Sequence, residues 1–205
     1  MPDPLEVPRE WISSNGAASE SGKALVLVRP AASAAGLDVF VLPLEPKGQP
    51  HAPFADSKFN VFDAEISPDG RWIAYDSDES GRLEVYVRPF PAVDGGRWQI
   101  SAEGGGSPFW ARSGRELFFR NATNRMVAVP IPAGAGFAFG KAETLLDFTP
   151  YVNIRSTGRT YDISPDGKRF LAIKPVVSNS SPAHPSIVVV SHWFDEVKAR
   201  MPAQR

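Results

Sequence analysis

The sequence predicts an all-β protein built from repeated four-stranded antiparallel sheets, and three observations carry that expectation. The tetrapeptide Ser-Pro-Asp-Gly occurs at Ser67–Gly70 and again at Ser164–Gly167, each time followed by a basic residue and an aromatic-aliphatic run. Short β-branched and aromatic runs recur along the chain between turn signals, as strands do. Twenty prolines and seventeen glycines in 205 residues suit a turn-rich β protein better than a helical one.

The tetrapeptide has a plain physical reading. Proline presets φ for the second position of a β-turn, aspartate bonds its own downstream backbone, and glycine accepts positive φ. Val61–Ile66 leads into the first copy and Trp72–Tyr75 leads out, so each copy is expected to be a hairpin corner. Weaker copies stand at Ser113-Gly114-Arg115, after Pro108-Phe109-Trp110, and at Ser21-Gly22-Lys23, after Trp11-Ile12. The glycines at 22, 70, 114 and 167 are 48, 44 and 53 residues apart. Blades of a β-propeller, each a four-stranded antiparallel sheet, repeat at about 40–50 residues.

With that ruler each unit yields its remaining strands. Third strands are expected at Leu37–Leu42, Leu83–Val87, Arg125–Val129 and Ser186–Val190, and fourth strands at Gln49–Phe54, Arg97–Ile100 and Glu143–Leu146. The expected blades therefore cover about residues 11–55, 56–101, 107–148 and 159–193, after an extension over residues 1–10. Trp193, Phe194, Val197 and Met201 fall at helical spacing, with acidic residues early and basic ones late, which predicts a short C-terminal helix over about 193–201. Ala102–Ser107, Pro150–Gly158 and Val176–Pro185 read as loops, and binding groups commonly sit on such connections.

Composition bounds the function. A net charge of −1 and a pI near 6.3 remove the electrostatic case for nucleic-acid binding. The absence of cysteine excludes disulfides and thiolate metal sites. No run of about 20 apolar residues is present to span a membrane, and the acidic, proline-rich start lacks the regions of a signal peptide.

Enzyme signatures are missing as well. The Gly-rich loop, strand lysine and catalytic loop of a kinase are not found, and Gly104-Gly105-Gly106 precedes a strand and reads as a flexible inter-blade loop. The Gly-x-Ser-x-Gly elbow is absent, and His51, His184 and His192 form no triad pattern. The acidic stretch Asp76–Gly81 does not complete a calcium loop and reads as a hairpin connection. No cofactor, metal or catalytic residue is therefore expected. Trp72, Tyr75, Phe118, Phe119 and Phe170 in second strands, and Trp98 in a fourth, are expected to pack between neighbouring sheets.

The run Ser67–Tyr75 followed by Ser77–Pro91 resembles the WD40-like propeller repeat of TolB-type proteins. Together with Gly95–Ser101, Gly104–Trp110, Tyr161–Gly167 and Val188–Lys198, it is similar to the propellers at the C-terminal end of bacterial serine/threonine kinases. The first and third turns depart from the family pattern, and four units stand where such rings usually have six or so blades. The resemblance implies part of a longer bacterial signalling protein, extracytoplasmic or periplasmic, with this portion a non-catalytic module that binds a protein or small-molecule ligand. Self-association or pairing with missing blades is a further implied partner. The alternative is the substrate-gating propeller of a prolyl-oligopeptidase-like peptidase. The binding loops would be Asp76–Arg82, Ala102–Ser107 and Pro150–Gly158, with Tyr151 and Arg155 as the contact residues, an aromatic and a cation on a long loop.

Overall fold

The computed structural model describes residues 16–18, 24–30, 37–44, 59–152, 160–164 and 166–175. Strands β1 (Gly16–Ala18), β2 (Ala24–Pro30) and β3 (Leu37–Pro43) form the first sheet. The second sheet runs β4 (Val61–Ile66), β5 (Trp72–Ser77), β6 (Glu84–Pro89) and β7 (Trp98–Gln99). The third runs β8 (Gly105–Trp110), β9 (Glu116–Asn121), β10 (Arg125–Pro130) and β11 (Glu143–Asp147), and β12 (Tyr161–Ile163) with β13 (Phe170–Ala172) begins a fourth. All pairings are antiparallel between sequence neighbours, so each sheet is a simple meander. Trp11, Gln49–Phe54, Ser186–Val190 and the helix expected over 193–201 lie outside the described residues.

The core consists of the seams between successive sheets. At the first seam Val26, Val39 and Val41 meet Ile66, Ile73, Tyr75 and Tyr86. At the second, Ala74, Val85 and Val87 meet Trp110, Leu117, Phe119, Val127 and Val129. At the third, Phe109, Phe118, Met126 and Ala128 meet Tyr161 and Ile163. Side chains alternate across a strand with a period of two. In β5, Ile73 and Tyr75 therefore enter the first seam while Ala74 between them enters the second. In β10, Met126 and Ala128 enter the third seam while Val127 and Val129 enter the second. Both faces of the second and third sheets are covered, which is why their inner strands read as continuous apolar runs rather than as an alternation. Each fully buried Val, Leu, Ile or Phe contributes about 1.5–3 kcal/mol.

The corners match their sequence signature. In the first copy Gly70 N donates to Ser67 O (2.8 Å), and Ser67 Oγ accepts from Trp72 N (3.0 Å). The second copy repeats this with Gly167 N to Ser164 O (2.8 Å) and Arg169 N to Ser164 Oγ (3.0 Å). The altered third copy keeps the geometry, with Gly114 N bonded to Ala111 O (2.8 Å). Gly70, Gly114 and Gly167 have φ of 73°, 66° and 69°, the left-handed region that glycine reaches without steric cost. Ser113 Oγ takes the bond from the following amide (Arg115 N, 3.2 Å) that Asp69 Oδ1 takes from Arg71 N (3.1 Å). A different residue thus does the same work.

The connection from the second sheet to the third is not the flexible loop expected of three glycines. Gly105 and Gly106 open β8 and are buried, and a Cβ built on Gly105 would lie 2.7 Å from Ser101 Oγ and 3.0 Å from the Phe119 ring. Glycine is required there for close packing. Glu84, fully buried, anchors the same connection: its Oε1 accepts from Gly104 N (2.9 Å) and Arg82 Nε (2.6 Å), and its Oε2 from Ser101 Oγ. Ser101 Oγ in turn accepts from Val85 N (2.8 Å). Removing the carboxylate strands buried donors, at about 1–3 kcal/mol for each unsatisfied group.

Glu84→Ala is expected to lower stability by about 2–3 kcal/mol, read as a shift of the urea midpoint at unchanged slope. Gly105→Ala should cost about 2 kcal/mol by overpacking, whereas Gly136→Ala, whose Cβ would meet nothing within 4 Å, should stay within about 0.5 kcal/mol of wild type. Equal midpoints for the two glycine variants would contradict the packing described.

Candidate functional site

The meander sorts the connections to two ends of the sheets. At one end lie the hairpins after β5 and β9 and the crossings from one sheet to the next. This is the loop set singled out from the sequence, and its described residues are largely committed to joining sheets. Asp76 Oδ2 accepts from Ser107 N (3.0 Å) of the next sheet, and Ser107 Oγ donates to Asp63 Oδ2 (2.7 Å). Ser107 holds φ of 54° at a bulge in β8, and the Tyr161 hydroxyl donates to its carbonyl. Arg120 occupies the place in β9 that Asp76 holds in β5. It too reaches the next sheet, lying 5.7 Å from the Tyr161 ring and donating to Val152 O (3.4 Å).

Tyr151 lies at this end, half-buried, with its ring 5.1 Å from that of Phe148 and its amide bonded to Phe148 O (3.0 Å). Its ring therefore covers the third seam, a packing role the sequence reading did not give it. Arg155 lies outside the described residues. The acidic hairpin spends its carboxylates on protein donors: Asp78 accepts from Asn60 N (2.9 Å) and Nδ2 (2.6 Å), and Glu79 pairs with Arg97. Among the described residues, no three His, Asp or Glu side chains converge as metal ligands.

The opposite end carries the turn corners and the long connections after β6 and β10. Here a groove of about 400 Å³ opens over the second seam, between the turn at Ser67–Arg71, the turn at Ser113–Arg115 and the connection after β10. Its floor is apolar. Ile131 is buried, and Trp72 and Phe137 are half-buried with ring centroids 5.1 Å apart. Trp98 packs on both rings, at 5.7 Å from Trp72 and 4.9 Å from Phe137, and fixes their orientation. The rim is polar: Asp69, Arg71, Ser113 and Arg115.

The rim charges are unequally committed. Arg71 donates Nε to Asp69 Oδ2 (2.7 Å) and Nη1 to Gly134 O (3.0 Å), with its guanidinium 5.6 Å from the Trp72 ring. Burial alone would raise the Asp69 pKa, but bonds from Ser67 and Arg71 outweigh it and hold the carboxyl below its ordinary value. Asp69 and Arg71 thus form a neutral pair. The Arg115 side chain makes no ion pair or hydrogen bond among the described residues. Among the described residues, the groove is a two-ring apolar floor beside one cation without an ion-pair partner.

Sequence reasoning took Trp72 and Trp98 as core and passed over Phe137, Arg71 and Arg115 as binding residues. A signal was present, since a basic residue follows the turn glycine in all four copies, at Lys23, Arg71, Arg115 and Lys168.

Four-stranded meanders stacked face to face through apolar seams define a β-propeller. No family model matches the sequence, and no curated protein matches it at a significant level. Among solved structures, TolB from Acinetobacter baumannii matches with a TM-score of 0.55 at 16% identity, over 77% of this chain and 36% of that one. The periplasmic gluconolactonase of Pseudomonas aeruginosa matches at 0.46 and 15% identity, over 76% of this chain and 48% of that one. The β-propeller domain of the Trilobed protease from Pyrococcus furiosus matches at 0.34 and 14%, over 64% and 56%. The fold is that of a TolB-like β-propeller domain. The chain spans just over a third of the Acinetobacter protein's length.

The depressed Asp69 pKa fixes a sign. A carboxyl held lower in the folded state stabilises above its unfolded value, and that contribution is lost as pH falls through the folded value. Asp69→Asn should therefore be less stable than wild type at pH 6, and the difference should shrink below about pH 4. Urea titrations at pH 6, 4 and 3 read this, and a pH-independent difference would contradict it.

Proposed function

We propose that this chain is a non-catalytic recognition module, the regulatory part of a larger bacterial signalling protein. The groove over the second seam is the observation that carries the proposal. Ligand pockets are apolar clefts of about 300–1,000 Å³ with a few placed polar groups, and this groove of about 400 Å³ combines Trp72, Phe137 and Ile131 with Arg71 and Arg115. Its residues come from two sheets held together by a buried seam, so the floor is set before a ligand arrives. Preorganisation of this kind reduces the ordering cost of binding. The polar side chains on the rim are spent on one another, with Ser67 and Arg71 both donating to Asp69, and what the groove offers a ligand is its aromatic floor and the Arg115 charge. The signalling context rests on the sequence resemblance to kinase-associated propellers.

The test is a screen of a displayed random-peptide library on the purified chain, with two variants as controls. Enriched peptides are expected to lose most of their binding to Phe137→Ala, by about 2 kcal/mol or some thirtyfold, and to keep it with Tyr151→Ala at the opposite end. Failure to enrich any peptide, or hydrolysis of lactone or peptide substrates by the chain, would overturn the reading.

A further inference from the structure

The groove also specifies what it binds, and this step rests on the recognition reading above. We infer that it takes an acidic apolar segment of a partner protein, with an apolar side chain on Trp72 and Phe137 and a neighbouring Asp or Glu carboxylate on Arg115. The apolar half follows from the floor. Trp72 and Phe137 stand 5.1 Å apart at an angle of 58°, a tilted pair wedged from behind by Trp98. Both rings remain only half-buried at the groove. Aromatic faces of this kind gain from a further ring or branched chain laid against them.

The acidic half follows from the charge balance. Asp69 is the acidic residue on the rim, and it is spent: it accepts from Ser67 Oγ (2.6 Å), Arg71 N (3.1 Å) and Arg71 Nε (2.7 Å). Arg71 is spent in turn on Asp69 and Gly134 O. Arg115 is left with its charge toward the groove, and its backbone is fixed on both sides. Its amide donates to Ser113 Oγ (3.2 Å), and its carbonyl accepts from Ile131 N (2.7 Å). The two turns approach so closely that a Cβ on Gly114 would lie 3.8 Å from Pro68. The backbone that carries the cation is therefore fixed beside the aromatic floor. A basic partner would meet that cation with like charge, and a purely apolar one would leave it without a counter-charge.

A titration on the whole chain reads this directly. The probes are the blocked dipeptides acetyl-Glu-Phe-amide and acetyl-Gln-Phe-amide, followed through the Trp72 indole N–H in a ¹⁵N-labelled sample. The Glu probe is expected to shift that resonance saturably, with the Gln probe about three- to fivefold weaker, the size of a solvent-exposed ion pair. Arg115→Gln, which removes no side-chain hydrogen bond or ion pair among the described residues, should equalise the two probes, and so should high salt. An unmoved indole, equal binding of both probes, or a Glu preference that survives Arg115→Gln would overturn the inference. The peptide screen separates the two levels. Binders that compete at the seam but carry no carboxylate remove the ligand class and leave the recognition reading standing, whereas no binders at all removes both.

Discussion

The described structure depends on its second and third sheets being covered on both faces. An antiparallel sheet in a small domain usually buries one face and wets the other. Here β5, β6, β9 and β10 carry apolar side chains in both directions, and neighbouring sheets complete the cover. No sheet has a core of its own, so the stack is stable as a stack. In such arrays stability is close to a sum of unit and nearest-neighbour terms, and the seams supply the second kind.

Apolar seams have little directional preference, and polar contacts at their margins set the register. Glu84 ties the crossing between sheets to the hairpin before it. Asp76 and Arg120, at equivalent strand positions, each reach the following sheet although one is an anion and the other a cation. What the two have in common is a polar contact to the following sheet, not a length or a sign of charge. Trp110 serves similarly from the other side, with its indole bonded to Glu65 O (3.2 Å).

The fold was legible because its signals are local. The Ser-Pro-Asp-Gly corner needs only four residues in sequence, and strands such as Glu84–Pro89 and Arg125–Pro130 announce themselves by branched residues between turns. The groove was less legible because its parts are scattered. Trp72, Arg115 and Phe137 come from three separate segments and meet only across a seam, and Phe137 stands in a Pro/Gly-rich connection with no periodicity to mark it. Gly104–Gly106 misled in the opposite direction. Composition suggested slack, whereas the missing Cβ lets Gly105 pack against Ser101 and Phe119. Tyr151 illustrates the same limit, since an aromatic on a long connection reads alike whether it awaits a partner or covers a seam.

The third corner, where Ala-Arg-Ser-Gly stands in place of Ser-Pro-Asp-Gly, has a consequence for how such a protein evolves. The backbone path survives three changed residues because the left-handed glycine and the closing amide bond are what the hairpin requires. At this corner the basic residue Arg115, whose side chain makes no hydrogen bond or ion pair among the described residues, stands on the groove's rim. Substitution of Arg115 changes the charge on that rim while the left-handed glycine and the closing amide bond keep the hairpin. A corner can thus change the charge it presents without changing its backbone path.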